Sequence, residues 1–223
     1  MNPGELLERS LAYALGSVAL VAPGTLDRPT PCAGWDLGEL LRHLDDSVDA
    51  LHEAVTGGRV GLCPAPAAAD PVCAFRERAC AVLGAWAVAS GEVPSARTRV
   101  AVGDGALELG VVAVVGAVEV TAHGWDVGRA CGGRRPVPAA LALALLPLAR
   151  CVVADADRGT RFAAPVEVPA GAGPDERLLA FLGRDARRRG LPGGPARTAR
   201  GGSPSGRGPG DSFPDPGRSA FRE

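Results

Sequence analysis

Apolar residues recur at helical spacing along most of this chain. Over residues 4–21, Leu7, Leu11, Ala14, Leu15 and Val18 share one stripe, with Glu5, Glu8 and Arg9 elsewhere, and this predicts an amphipathic helix. Pro23-Gly24 stops it, and LDRPTPCAGWD follows as a loop. Asp36 and Glu39 make a D-x-x-E capping pattern at the head of a second helix. Its stripe is Leu37, Leu41, Leu44, Val48, Leu51 and Val55, and Gly57-Gly58 ends it. A Pro/Ala loop over 61–71 leads to a third helix from about 71 to 90, ending at Gly91. Residues 97–103 alternate briefly like a strand, and Asp104-Gly105 signals a turn.

From Ala106 to about Cys131 the pattern is helical again, and its middle, VVAVVGAV, is apolar all round. Such a helix must be enclosed by others. Gly110 and Gly116 weaken it but permit close approach. Gly132-Gly133 stops it. A further apolar helix is predicted from about Val137 to Ala156, then an extended FAAPVEVP and a short helix in PDERLLAFLGRD. The pattern therefore predicts an all-α domain with short extended segments over residues 1–185. After Asp185 the chain is rich in Gly, Pro, Arg and Ser and cannot bury enough apolar surface to offset ordering, so residues 186–223 are expected to be a disordered tail.

Composition agrees with this picture. Aromatics are 4% of the 223 residues, so the core must be built from Leu, Val and Ala, which suits close-packed helices better than a β-sandwich. All 24 basic residues are Arg, and Lys, Ile and Gln are absent. This bias points to a GC-rich genome and lowers the weight of any single Arg, Ala or Gly. The formal net charge of −1 combines an acidic body with a basic tail. An acidic body is a poor nucleic-acid surface. The six cysteines form no CxxC pair. The N-terminus does not read as a signal peptide, and Glu108, Glu119, Pro147 and Arg150 interrupt the longest apolar stretches. A cytoplasmic protein with reduced thiols is expected.

The candidate chemistry lies in EVTAHGWD, residues 119–126. Glu119 and His123 are at i and i+4, on one helix face, where both can reach one divalent cation. The same pattern alone more often marks an exposed glutamate beside a core histidine. A third ligand would come from the second helix. His52 shares its side with Asp45 and Asp49, which read as a solvated face; His43 shares its side with Leu40, Ser47, Ala50 and Ala54 and is the better candidate. An edge-of-core role for His43 stays open. Asp126 can be an acceptor behind a ligand histidine, or a surface partner of Arg129, the reading its spacing favours. Trp35 and Trp125 are expected to pack the end of the bundle, and Cys32 to be a small buried filler.

GTLDRPTPCAGWDLGELLRHL followed by EVTAHGWDVGRACGG resembles the actinobacterial DinB-like metal-binding proteins, relatives of the metal-binding domain of mycothiol-dependent maleylpyruvate isomerase. The resemblance spans roughly residues 4–184. It implies a DinB-like four-helix bundle whose metal is held by His43, Glu119 and His123. Two histidines and a carboxylate leave an open position, as in catalytic sites; zinc suits them, and iron(II) or nickel share the ligand preference. Zinc would lower the pKa of a bound water or thiol. The implied activity is thiol transfer or thiol-assisted isomerisation, with mycothiol as cosubstrate, an electrophilic small molecule as substrate, and neither membrane nor nucleic acid as partner. The family's isomerase carries a further C-terminal domain, where this chain has room for a short helix and a tail.

Two other readings stand beside it. One is a non-catalytic metal-binding or regulatory protein, although the H-x-x-x-C-x-x-C of a zinc anti-sigma factor is absent. The other is an interaction protein acting through its Arg/Gly tail.

Overall fold

The computed structural model describes residues 1–61, 63–64, 66–91, 98–159 and 162–188. Six α-helices are described: α1 (Pro3–Val18), α2 (Leu37–Gly57), α3 (Pro71–Gly91), α4 (Leu109–Ala130), α5 (Ala139–Val152) and α6 (Pro174–Phe181). Beyond Arg188, the expected disordered tail lies outside the described residues.

Local sequence sets the helix starts. The Asn2 side chain accepts from the Glu5 N–H at 2.9 Å, and Pro3 takes the first helical position, where its missing N–H costs nothing. The expected capping box on α2 is formed: Asp36 Oδ1 accepts from the Glu39 N–H at 2.7 Å, and Glu39 Oε2 from the Asp36 N–H at 2.8 Å. Gly58, at φ 62°, ends α2 in the left-handed conformation.

Four long helices pack in a ring. α1 lies against α4, α4 against α2, α2 against α3, and α3 closes back on α1. Their shared core includes Leu7, Leu11, Leu41, Leu44, Val48, Leu51, Phe75, Val82, Val112 and Val120. α5 and α6 pair with each other on the other side of α4, over a second core with Tyr13, Val118, Trp125, Leu141, Leu145 and Leu178. α4 thus feeds both cores, which is why its sequence is apolar on every side. By length and hydropathy α4 passes as a membrane span, yet 89% of its apolar window is buried inside the fold. Close approach to its neighbours rests on glycine: a Cβ on Gly116 would meet Leu51 Cδ2 at 2.6 Å, and one on Gly124 would meet Ala14 Cβ at 3.0 Å.

The expectation of an all-α domain with short extended segments holds in part. Arg59–Val60 (β1), Arg99–Val102 (β2) and Gly105–Glu108 (β3) form a small sheet in the order β1-β2-β3. β1 runs parallel to β2 and β3 antiparallel to it, with Arg99 opposite Glu108 and Val102 opposite Gly105. Of the strand predicted over 97–103, Arg99–Val102 is present and residue 97 lies outside the described residues, but residues 106–108, predicted as helix, pair with it. The turn at Gly103 (φ 53°) folds them back, and cross-strand pairing outweighs helical spacing until Leu109. α5 is also shorter than its pattern, since Pro138 precedes it and Asp155–Asp157 is a single 3-10 turn. Residues 163–169 carry no regular structure, but Val166 N–H donates to the Ala180 carbonyl and ties them to α6.

Candidate metal centre

The capping box fixes where α2 begins, and its buried apolar stripe sets which of its side chains face α4. His43 does; it is 5% exposed. Glu119 (5%) and His123 (8%) sit one turn apart on the facing side of α4. Glu119 Oε1 lies 2.7 Å from His43 Nε2 and 3.3 Å from His123 Nε2. The two imidazole rings meet edge to face, centroids 5.0 Å apart. Trp35, on the loop before α2, covers both, at 4.7 Å from His43 and 6.3 Å from His123. All three expected ligand residues therefore meet. His52 does not join them, and its neighbours Asp45 and Asp49 are not a solvated face: both pair with Arg78 of α3, Asp45 at 2.7 Å from Nε.

Behind His123 lies a second set of polar groups. Its Nδ1 is 3.0 Å from Asp126 Oδ2, and the Asp126 side chain is wholly buried. Arg184, after α6, donates to the same oxygen at 2.8 Å. The Cys32 thiol reaches it at 3.2 Å and stands 3.5 Å from His123 Nδ1. Two expectations fail here. Asp126 is not a surface partner of Arg129, which instead lies over the Trp125 ring. Cys32 is not an inert filler. The signal for Asp126 was its i+3 spacing from His123. Arg184, 58 residues away from Asp126, had none in so Arg-rich a chain.

These contacts set the charges. Burial alone would raise the Glu119 carboxyl, but the His123 charge and hydrogen bonds from both imidazoles hold it well below the usual carboxylate range. Burial likewise opposes protonation of His123, yet Cys32, Glu119 and Asp126 raise its pKa well above that of a free imidazole. Asp126 is kept ionised, against its burial, by Arg184 and His123.

Two trios have donor atoms within 4.8 Å of one another: His43/Glu119/His123 and Cys32/His123/Asp126. The second already has its cation in the Arg184 guanidinium. The first has only imidazoles around its carboxylate among the described residues. Two ligand atoms, each about 2.0–2.1 Å from one tetrahedral zinc ion, would sit roughly 3–3.5 Å apart. The 3.3 Å pair falls in that range, the 2.7 Å pair is a hydrogen-bond distance that would open by about half an ångström around an ion, and a nitrogen-nitrogen-oxygen donor set suits zinc. The residues fit a divalent ion.

A family model described as the mycothiol maleylpyruvate isomerase N-terminal domain matches residues 7–128. The chain belongs to this family. Similar proteins include two uncharacterized proteins of Mycobacterium tuberculosis, from strains CDC 1551 and H37Rv. Each is 30% identical over 193 residues, covering 84% of this chain and 100% of the relative. No solved structure matches. The family match spans His43, Glu119, His123 and Asp126 and stops short of Arg184.

Proposed function

We propose that this family member binds one divalent metal ion through His43, Glu119 and His123, with zinc the best suited, and acts in the cytoplasm on an electrophilic small molecule with mycothiol as cosubstrate. The observation that carries the reading is a carboxylate only 5% exposed with an imidazole Nε2 on either side, at 2.7 and 3.3 Å. Burying a carboxylate costs several kcal/mol unless it is partnered, and a metal ion is a partner those three donors suit. The family description supports mycothiol as the thiol.

When bound, the ion would supply Lewis acidity and lower the pKa of a thiol or water at its open position. The chain's own residues do the rest. His43 and His123 present Nε2 toward Glu119, Asp126 holds the proton on His123 Nδ1, and Trp35 shields both rings from water.

Elemental analysis of the purified protein tests the site. One metal equivalent is expected in the wild type and none in the His43/Glu119/His123→Ala triple variant; equal metal in both would sink the assignment. A second reading, a metal-binding protein without turnover, is favoured by the burial of the donors at 5–8% exposure, which leaves a substrate little access. Thiol-dependent consumption of an electrophile, abolished by chelation, would decide for the enzyme. Tight metal binding without thiol affinity would decide for the binder.

A further inference from the structure

Arg184 lies beyond the matched family domain, yet its side chain is 9% exposed and enters the polar layer behind His123. Its Nη2 donates to Asp126 Oδ2 at 2.8 Å and its Nε to Oδ1 at 3.4 Å. Nη1 donates to the Leu182 carbonyl at 2.7 Å, and Nη2 stands 3.7 Å from Cys32 Sγ. The guanidinium is thus spread over both carboxylate oxygens and tethered to its own backbone.

The local fold delivers it there. α6 is followed by Gly183 at φ 80°, a left-handed turn that aims the next residue back toward α4. Gly183 N–H donates to the Ala180 carbonyl at 3.0 Å, and Arg184 N–H to the Leu179 carbonyl at 2.8 Å. A Cβ at Gly183 would meet Ala163 Cβ at 2.7 Å, so glycine also lets the 162–169 segment close over this turn. Backbone contacts on both sides fix the guanidinium.

We infer that Arg184 is a positioning residue that holds Asp126 as the acceptor of the His123 Nδ1–H, so that Nε2 is the nitrogen turned toward Glu119 and the one a metal would take. An ionised carboxylate can only accept, so the ring nitrogen 3.0 Å from Asp126 Oδ2 must carry hydrogen. Arg184 reaches both oxygens of that carboxylate, at 2.8 and 3.4 Å, and so sets which oxygen faces His123. The C-terminal segment therefore completes the site that the family domain begins. The inference rests on the metal reading for its consequence, but not for its geometry.

Arg184→Met and Arg184→Lys, with the wild type, test it. In metal-free wild-type protein, NMR should show a slowly exchanging Nδ1–H on His123. In Arg184→Met this proton should exchange rapidly, and zinc affinity, measured by competition with a chromophoric chelator, should fall by about 10–100-fold, the usual cost of losing such a partner. Arg184→Lys should recover most of both. Unchanged exchange and affinity in Arg184→Met, or a Lys variant no better than Met, would overturn the inference. Should Arg184→Met fail to fold, the wild-type spectrum still decides, since a His123 Nδ1 without hydrogen excludes the role. If wild-type protein binds no zinc while the Nδ1–H responds to Arg184, the metal reading falls and the positioning role stands.

Discussion

The two histidines that face Glu119 are held by different physics. His43 sits on a capped helix, its ring against Trp35 and its Nε2 2.7 Å from Glu119, and its Nδ1 is buried with no hydrogen-bond partner among the described residues. Away from Glu119 the ring is held by packing and not by a hydrogen bond. His123 has a carboxylate, a guanidinium and a thiol behind it, so charge and hydrogen bonding set both orientation and tautomer. Both rings meet the Glu119 carboxylate, but His43 is backed by shape and His123 by charge. Changes to the His123 half should therefore alter metal affinity and pH response, and changes to the His43 half should mainly loosen geometry.

The largest effect should come from the group both halves share. Glu119→Ala should abolish stoichiometric zinc binding, read by elemental analysis after dialysis; a retained equivalent would mean the two imidazoles suffice. Next, Asp126→Asn should weaken zinc about 10–100-fold, because an amide can turn its NH₂ toward Nδ1 and reverse the tautomer. Trp35→Ala, on the other half, should weaken zinc by a smaller factor than Asp126→Asn, measured in the same competition assay. The reverse order would break the comparison.

Metal-free stability should also depend on pH through the His123 half. Its pKa is raised in the folded state, so the stability its proton contributes is fully present below about pH 6.5 and is lost as pH rises through the raised value. Glu119 works the other way: its carboxyl is lowered, and its contribution is lost only as pH falls well below 4.5. The thermal midpoint of metal-free protein should drop on the alkaline side, and His123→Asn should flatten that drop. Zinc must displace the same proton, so its affinity should rise with pH. The smallest effect is expected from Cys32→Ser, which keeps a donor to Asp126. Zinc affinity within about threefold of wild type would place the thiol outside the ligand set, whereas a loss as large as that of Asp126→Asn would bring it in.

Legibility in the sequence followed the range of the interaction. α2 and its capping box could be read from neighbours three residues apart, and the enclosure of α4 from its all-round apolar pattern. The pairing of Glu119 with His123 is likewise a local fact of helix geometry. The sheet was only partly legible, because residues 106–108 obey a helical pattern until β2 offers its hydrogen bonds. Asp45 and Asp49 read as solvated because their partner, Arg78, belongs to another helix.

The sequence by itself determined which segments become helices, the capped start of α2 and the faces that carry His43, Glu119 and His123, since spacing along one helix fixes which side chains share a side. Only the tertiary structure decided that Asp126 turns inward and that Cys32 and Arg184 meet it. Those three residues come from a loop, a helix and a C-terminal turn far apart in the chain, and no local periodicity records which charges will be buried together.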